Sequence, residues 1–263
     1  MFDPWLAGCG FLVGVLVGLT GVGGGALMTP ILILVFGIRP TLAVGSDLAY
    51  ATITKIFGSV QYVRRKQVNF PYVRWLAVGS VPSALLGVWV VSPWLDRTGI
   101  DVEHLTTRLL GVMLIMVAVL AVAEQWLYSG RLRDSALIRS EAVQRQYKEP
   151  ILIAGGVVIG LGVGLTSVGS GSLLMAILLL VSELDLLVLI GTDIMHATIL
   201  LGAAGTAHWT KGNVEWGLVL ALLVGSIPGV WLGSRLSQVV PRAPLRTALA
   251  VLLAATGFKL LTS

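Results

Sequence analysis

The sequence predicts an all-α polytopic membrane protein built from two inverted-topology repeats offset by 146 residues. Each repeat is expected to hold a glycine-broken re-entrant helix pair plus about three spanning helices. Three observations lead there. Of 263 residues, 56% are hydrophobic and only 12% are charged, against roughly 25% charged in a soluble domain. Uncharged runs near the ~20 residues that span hydrocarbon recur along the whole chain. The two halves also align on each other without a gap.

The apolar blocks fall at about 5–38, 41–63, 72–91, 105–127, 151–182, 187–207, 216–236 and 245–261. The first would be about 51 Å long as one helix, and its middle reads "TGVGGG". Glycine runs do not hold a helix. Two short helices are expected instead, near 5–19 and 26–38, joined by a glycine turn inside the membrane. The fifth block repeats the pattern around "TSVGSGS". Shifted by 146, Gly14, Gly18, Thr20, Gly23 and Gly25 fall on Gly160, Gly164, Thr166, Gly169 and Gly171. Asp47 falls on Asp193, and Gly79, Ser80 and Pro82 on Gly225, Ser226 and Pro228. This is an internal repeat. The domain reading is an N-terminal repeat 1–127, a basic linker 128–149 and a C-terminal repeat 150–263, forming a single membrane domain.

Orientation follows from Lys and Arg. The loop near 64–74 carries Arg64, Arg65, Lys66 and Arg74, and its partner near 208–215 only Lys211. The loop near 92–104 is mostly acidic, while its partner near 235–246 carries Arg235, Arg242 and Arg246. The bias flips between halves, as inversion requires. The linker, with Arg131, Arg133, Arg139, Arg145 and Lys148, is expected in the cytoplasm as a surface helix or tether, and both termini outside. The start "MFDPW" lacks a basic leader, so no cleavage is expected. Cys9 is the one cysteine, so no internal disulfide forms. The net charge of +5 reflects loop asymmetry rather than nucleic-acid binding.

Gly21-Val-Gly23-Gly24-Gly25-Ala26 fits a dinucleotide fingerprint, G-x-G-x-x-A. No βαβ unit surrounds it, so that reading fails. A glycine turn at bilayer depth exposes backbone N–H groups at the start of a helix, near Ala26 and again near Leu173. Such ends attract anions. The competing reading is that these glycines only allow close helix packing. Ionisable residues at depth are costly and usually functional. Asp47, Lys55, Asp193 and His196 lie deep in otherwise apolar blocks. The aspartates can brace the glycine loops or carry protons. Lys55 can balance substrate charge or pair with Asp47. His196 can relay protons, donate to substrate, or be a satisfied core histidine. His104 and His208 are assigned no role. No Walker motif, H-E-x-x-H or cysteine cluster occurs, so neither a catalytic site, a metal nor a cofactor is expected. Trp5, Trp75, Trp94, Trp126, Trp209 and Trp216 sit at predicted membrane ends as an interfacial belt.

"GLTGVGGGALMTPIL", "VGSDLAYATITK", "VGSVPSALLG", "LTSVGSGSLL", "IGTDIMHA" and "GNVEWGLVLALLVGSIPGVWLGSRL" together resemble the sulfite exporter TauE/SafE family of membrane permeases. The resemblance covers nearly the whole chain. It implies transport, not catalysis, of a small inorganic or organic sulfur anion such as sulfite or sulfoacetate. It also implies a bacterial inner membrane and a homodimer. The anion role falls on 20–25 and 166–172, hence on Thr20, Gly21, Gly23, Gly24, Gly25, Thr166, Ser167, Gly169, Ser170, Gly171 and Ser172, with Lys55 and His196 nearby. Export by alternating access is the leading expectation. Proton-coupled uptake and a non-transporting scaffold are the alternatives.

Overall fold

The computed structural model of the chain describes residues 4–20, 25–128, 141–182, 184–236 and 242–262. All regular structure among the described residues is helical. The N-terminal half comprises α1 (Pro4–Thr20), α2 (Gly25–Leu34), α3 (Pro40–Arg64), α4 (Phe70–Leu86), a π turn (Gly87–Val91), α5 (Ser92–Arg97) and α6 (Val102–Tyr128). The C-terminal half comprises α7 (Glu141–Thr166), α8 (Ser172–Val181), α9 (Leu186–Thr210), α10 (Trp216–Leu236) and α11 (Arg242–Thr262).

The second long apolar block is broken where its glycines fall, since α7 ends at Thr166 and α8 starts at Ser172. In the first block α1 is described up to Thr20 and α2 from Gly25, and the glycines between them lie outside the described residues. α2 and α8 have 10 residues each, about 15 Å of helix and half a bilayer core. α7 begins earlier than the apolar pattern suggests, so the end of the linker is helical and continuous with the fifth block. Five helices among the described residues are long and apolar enough to cross a membrane, and Pro4–Leu19 and Thr247–Thr262 are shorter apolar helices. α3 does not meet the apolar criterion, although α9, its equivalent at the 146-residue offset, does. Lys55 and Arg64 explain the difference, since the equivalent positions in α9 are Leu201 and Thr210. At 25 residues, α3 is nonetheless about 37 Å long, and we read it as spanning.

Helix ends follow local chemistry. Asn69 caps α4 by accepting from the Tyr72 N–H at 3.3 Å. The start of α3 is capped from a distance. Glu103 of α6 accepts from the Thr41 N–H at 2.9 Å and from its hydroxyl at 2.7 Å. The outer surface is apolar, with exposed Val78, Leu86, Val112, Val119, Leu220, Val224 and Ile227. Such a surface suits lipid, not water.

The halves interlock. α1 packs against α10, α4 against α7, α3 against α9 and α6 against α11. Glycines set the distances. A Cβ at Gly10, Gly14 or Gly18 of α1 would come within 3.0 Å of the α10 backbone at Leu222, Ser226 and Val230. A Cβ at Gly156, Gly160 or Gly164 of α7 would do the same to α4 at Leu76, Ser80 and Ala84. The two sets differ by 146 at every position. The same reciprocity links Gly45 with Asn213 and Gly191 with Gln67. The Asn69 N–H donates to the Thr192 hydroxyl at 2.9 Å, and the Glu215 N–H to the Ser46 hydroxyl at 3.0 Å.

Candidate functional site

The break between α7 and α8 lies in the protein interior, with residues 166–170 all buried. Ser167 and Gly169 adopt left-handed backbone, with φ of 64° and 106°. That conformation is natural for glycine. For serine it costs about 1 kcal/mol, so other contacts must hold it. Two do: the Ser167 N–H donates to the Val163 carbonyl at 2.8 Å, and the Ser167 hydroxyl donates to Asp47 Oδ2 at 2.5 Å. The second bond crosses from one half to the other. Thr29 of α2 donates to the same oxygen at 2.7 Å. Asp47 is fully buried and ties together α2, α3 and the α7–α8 break.

α8 starts without a side-chain cap, because its N-cap is Gly171. Its first internal bond runs from the Met175 N–H to the Gly171 carbonyl at 2.8 Å. The N–H groups of the first turn therefore have no acceptor within the helix, and the helix dipole adds positive potential there. This is chemistry suited to an anion. The hydroxyls divide into two groups. Thr166 donates to the Gly162 carbonyl at 2.7 Å and accepts from the Val168 N–H at 3.3 Å, so its hydroxyl is committed to shaping the turn. Ser167 is committed to Asp47. Ser170 and Ser172 hold no such bond among the described residues. The expected ring of four hydroxyl donors in this half thus reduces to two, because a broken helix needs side chains to close its own backbone.

The equivalent segment of the first half is less accessible to description. Gly21, Gly23 and Gly24 lie outside the described residues. Thr20 closes α1 and Gly25 opens α2.

Lys55 is half-buried on α3, and the carboxylate that acts on it is Asp193 of α9. Asp47, eight residues away on the same helix, uses hydroxyls instead. His196, fully buried, lies within electrostatic reach of Lys55. Its Nε2 is 2.8 Å from the Ser80 hydroxyl. Tyr50 lies within electrostatic reach of the Ser226 hydroxyl. Tyr50 and His196 are equivalent positions, as are Ser80 and Ser226. Both cross-half pairs are therefore one contact made twice with different chemistry.

Sequence reasoning missed Thr29, Tyr50 with Ser226, and Ser80 as the partner of His196. It also missed His208, whose Nε2 donates to the Gly164 carbonyl at 2.8 Å. That bond satisfies a carbonyl in the last turn of α7, next to the break.

A family model, "Sulfite exporter TauE/SafE", matches residues 6–260. The chain belongs to this family. As a TauE/SafE protein it is 41% identical over 254 residues to the probable membrane transporter protein YjnA of Bacillus subtilis, covering 96% of this chain and 97% of that one. The probable membrane transporter protein YdhB of the same organism is 24% identical over 95% of this chain and 97% of its own. A probable membrane transporter protein of Methanocaldococcus jannaschii is 25% identical over 98% and 95%. No solved structure matches significantly. This TauE/SafE chain is a multi-pass membrane transporter and not an enzyme.

Proposed function

We propose that this transporter exports a small sulfur-containing anion, sulfite or an organosulfonate such as sulfoacetate, across a bacterial inner membrane. The observation that carries the reading is the start of α8, half-buried behind the buried segment 166–170, where first-turn N–H groups meet two uncommitted serine hydroxyls, Ser170 and Ser172. Backbone N–H groups there, and at the equivalent 20–25 segment, would replace the water around the anion. Lys55 and His196 would add positive or donor character from α3 and α9. The name of the matching family supports sulfite as the first anion to test. The printed names of the relatives support transport.

The two halves, 1–127 and 150–263, are proposed as inverted repeats. Three spans plus a re-entrant pair give each half an odd number of crossings. Reciprocal contacts between equivalent positions fit two halves that rock against each other and open the site to one side at a time. The linker 128–149 would lie in the cytoplasm.

The test is thermal stability of the purified protein in detergent with sulfite, sulfoacetate, thiosulfate, sulfate, taurine or chloride at constant ionic strength. A bound anion raises the melting temperature by mass action. A saturable rise selective for a sulfur anion is expected, and Gly169→Val should abolish it. A Cβ at Gly169 would be strained by its φ and would meet Leu173. No rise with any anion, together with full biological function of Gly169→Val, would replace transport at this site by the scaffold reading.

A further inference from the structure

The carboxyl group of Asp47 is held unevenly. Its Oδ2 accepts two hydroxyl hydrogen bonds, from Thr29 at 2.7 Å and from Ser167 at 2.5 Å. Its Oδ1 is buried with no hydrogen-bond partner. The whole residue is 0% exposed. An ionised carboxylate spreads its charge over both oxygens, and leaving one of them bare in an apolar interior is costly. The neutral acid removes most of that cost. Its Oδ2–H donates to one hydroxyl, the other hydroxyl still donates to Oδ2, and Oδ1 becomes an ordinary carbonyl.

Among the described residues no cation stands to Asp47 as Lys55 stands to Asp193. Position 201, equivalent to Lys55, is Leu201, which is buried. On its own helix Asp47 shares the region with Tyr50, within electrostatic reach of Ser226, and with Lys55, on which Asp193 acts. α9 brings Asp193, His196 and His208; the two histidines are bonded to Ser80 and Gly164. α6 brings Glu103, committed to Thr41. α2, α8 and the 167–171 segment contain no titratable side chain. The charged groups of α7 are in its first turns, far from the break, and Arg235 of α10 is near that helix's end.

We propose that Asp47 is the proton-binding site that couples proton movement to anion binding at the α7–α8 break. The inference rests on the anion-site reading above. Ser167 is the physical link, since its backbone belongs to the break and its hydroxyl to Asp47. An ionised Asp47 would set a like charge beside the incoming anion. A protonated one does not. Anion and proton therefore bind together and leave together. Anion affinity falls as pH rises through the range where Asp47 loses its proton, by up to about tenfold per pH unit.

The experiment is calorimetry of sulfoacetate and thiosulfate binding to the full-length protein, in buffers of different ionisation enthalpy and across neutral pH. Both anions stay ionised there, so any proton exchanged belongs to the protein. Proton uptake should rise with pH towards one per anion. Asp47→Asn should abolish that uptake and flatten the pH slope, while Asp47→Glu should keep both. Should Asp47→Asn fail to fold, Ser167→Ala tests the same link: it removes a hydroxyl from Asp47 Oδ2 and should move the pH range of uptake, and an unmoved range overturns the proposal. Anion binding without proton uptake at any pH, or a pH slope that persists in Asp47→Asn, overturns the proposal and leaves the anion site standing. No anion binding at any pH overturns both.

Discussion

Asp47 and Asp193 stand 146 residues apart at equivalent places in the chain, yet they live in different chemistry. Around Asp47 the donors are the hydroxyls of Thr29 and Ser167. The equivalents of those two residues are Met175 and Gly21, neither of which can donate from a side chain. Around Asp193 the charge comes from Lys55, whose equivalent is the apolar Leu201. Tyr50 with Ser226 and His196 with Ser80 tell the same story. The glycine contacts and backbone caps are shared between halves, and the ionisable groups are not. Helix spacing tolerates no change, because a side chain would strike backbone. Side-chain chemistry facing the centre can diverge without moving a helix.

The largest expected effect comes from breaking what the halves share. Gly45→Val and Gly191→Val each drive a side chain into the backbone of the opposite half, at Asn213 and Gln67. Overpacking of this kind costs 1–3 kcal/mol in ordinary cores, and about 3 kcal/mol or more is expected where backbone is the obstacle. Both variants should yield little monodisperse protein by size-exclusion chromatography. A good yield of either would mean that the interlock is softer than its distances imply.

Next comes an attempt to make the two sites alike. Leu201→Lys places an ammonium beside the hydroxyl-bonded Asp47, as Lys55 stands by Asp193. Alone it should destabilise by about 3 kcal/mol, the cost of a lysine at depth. If Asp47 can ionise and pair with it, the loss shrinks. Combining it with Asp47→Asn should then be worse than either change alone, and melting curves of the three variants read this directly.

Ser80→Ala and Ser226→Ala sharpen the comparison at smaller scale. Each leaves a buried partner, His196 or Tyr50, without its hydroxyl. About 1–3 kcal/mol is expected for each. The losses should be similar if the two pairs are structural equivalents. A much larger loss of anion binding in Ser80→Ala would assign His196 a substrate role that Tyr50 lacks.

Smaller still is the strain at Ser167. Ser167→Gly relaxes the backbone but removes the bond to Asp47, whereas Ser167→Ala removes the bond and keeps the strain. Glycine should be the more stable of the two by about 1 kcal/mol. Gly8→Ala serves as the baseline. Nothing lies within 4 Å of the added methyl, so a gain of up to about 1 kcal/mol is expected from helix propensity.

Much of the fold was legible in the sequence because membrane helices announce themselves by length and lack of charge. The break at Ser167–Gly171 was equally plain, since a glycine-rich run does not sustain a helix. Helix ends shifted by a few residues, as at α7, where a polar stretch is helical by continuity. The candidate site was legible only in part. The Asp47 bond to Ser167 joins residues 120 apart, and no local pattern encodes that. One signal was available. The repeat had aligned Tyr50 with His196 and Ser80 with Ser226, so either contact implied the other. Thr166 shows what type alone leaves out: its position at a helix end gives its hydroxyl a carbonyl to serve, that of Gly162.

Gly111 of α6 and Gly257 of α11 also differ by 146, and they meet each other. A Cβ on the first would lie 2.8 Å from the carbonyl oxygen of the second, and a Cβ on the second 2.7 Å from that of the first. Elsewhere an evolving half can acquire a lysine or lose a threonine while its counterpart stays put. At this place there is no counterpart elsewhere, because each glycine is the other's surroundings. The surroundings of Asp47 and Asp193 can differ independently, whereas a change at either of these glycines alters the contact of both.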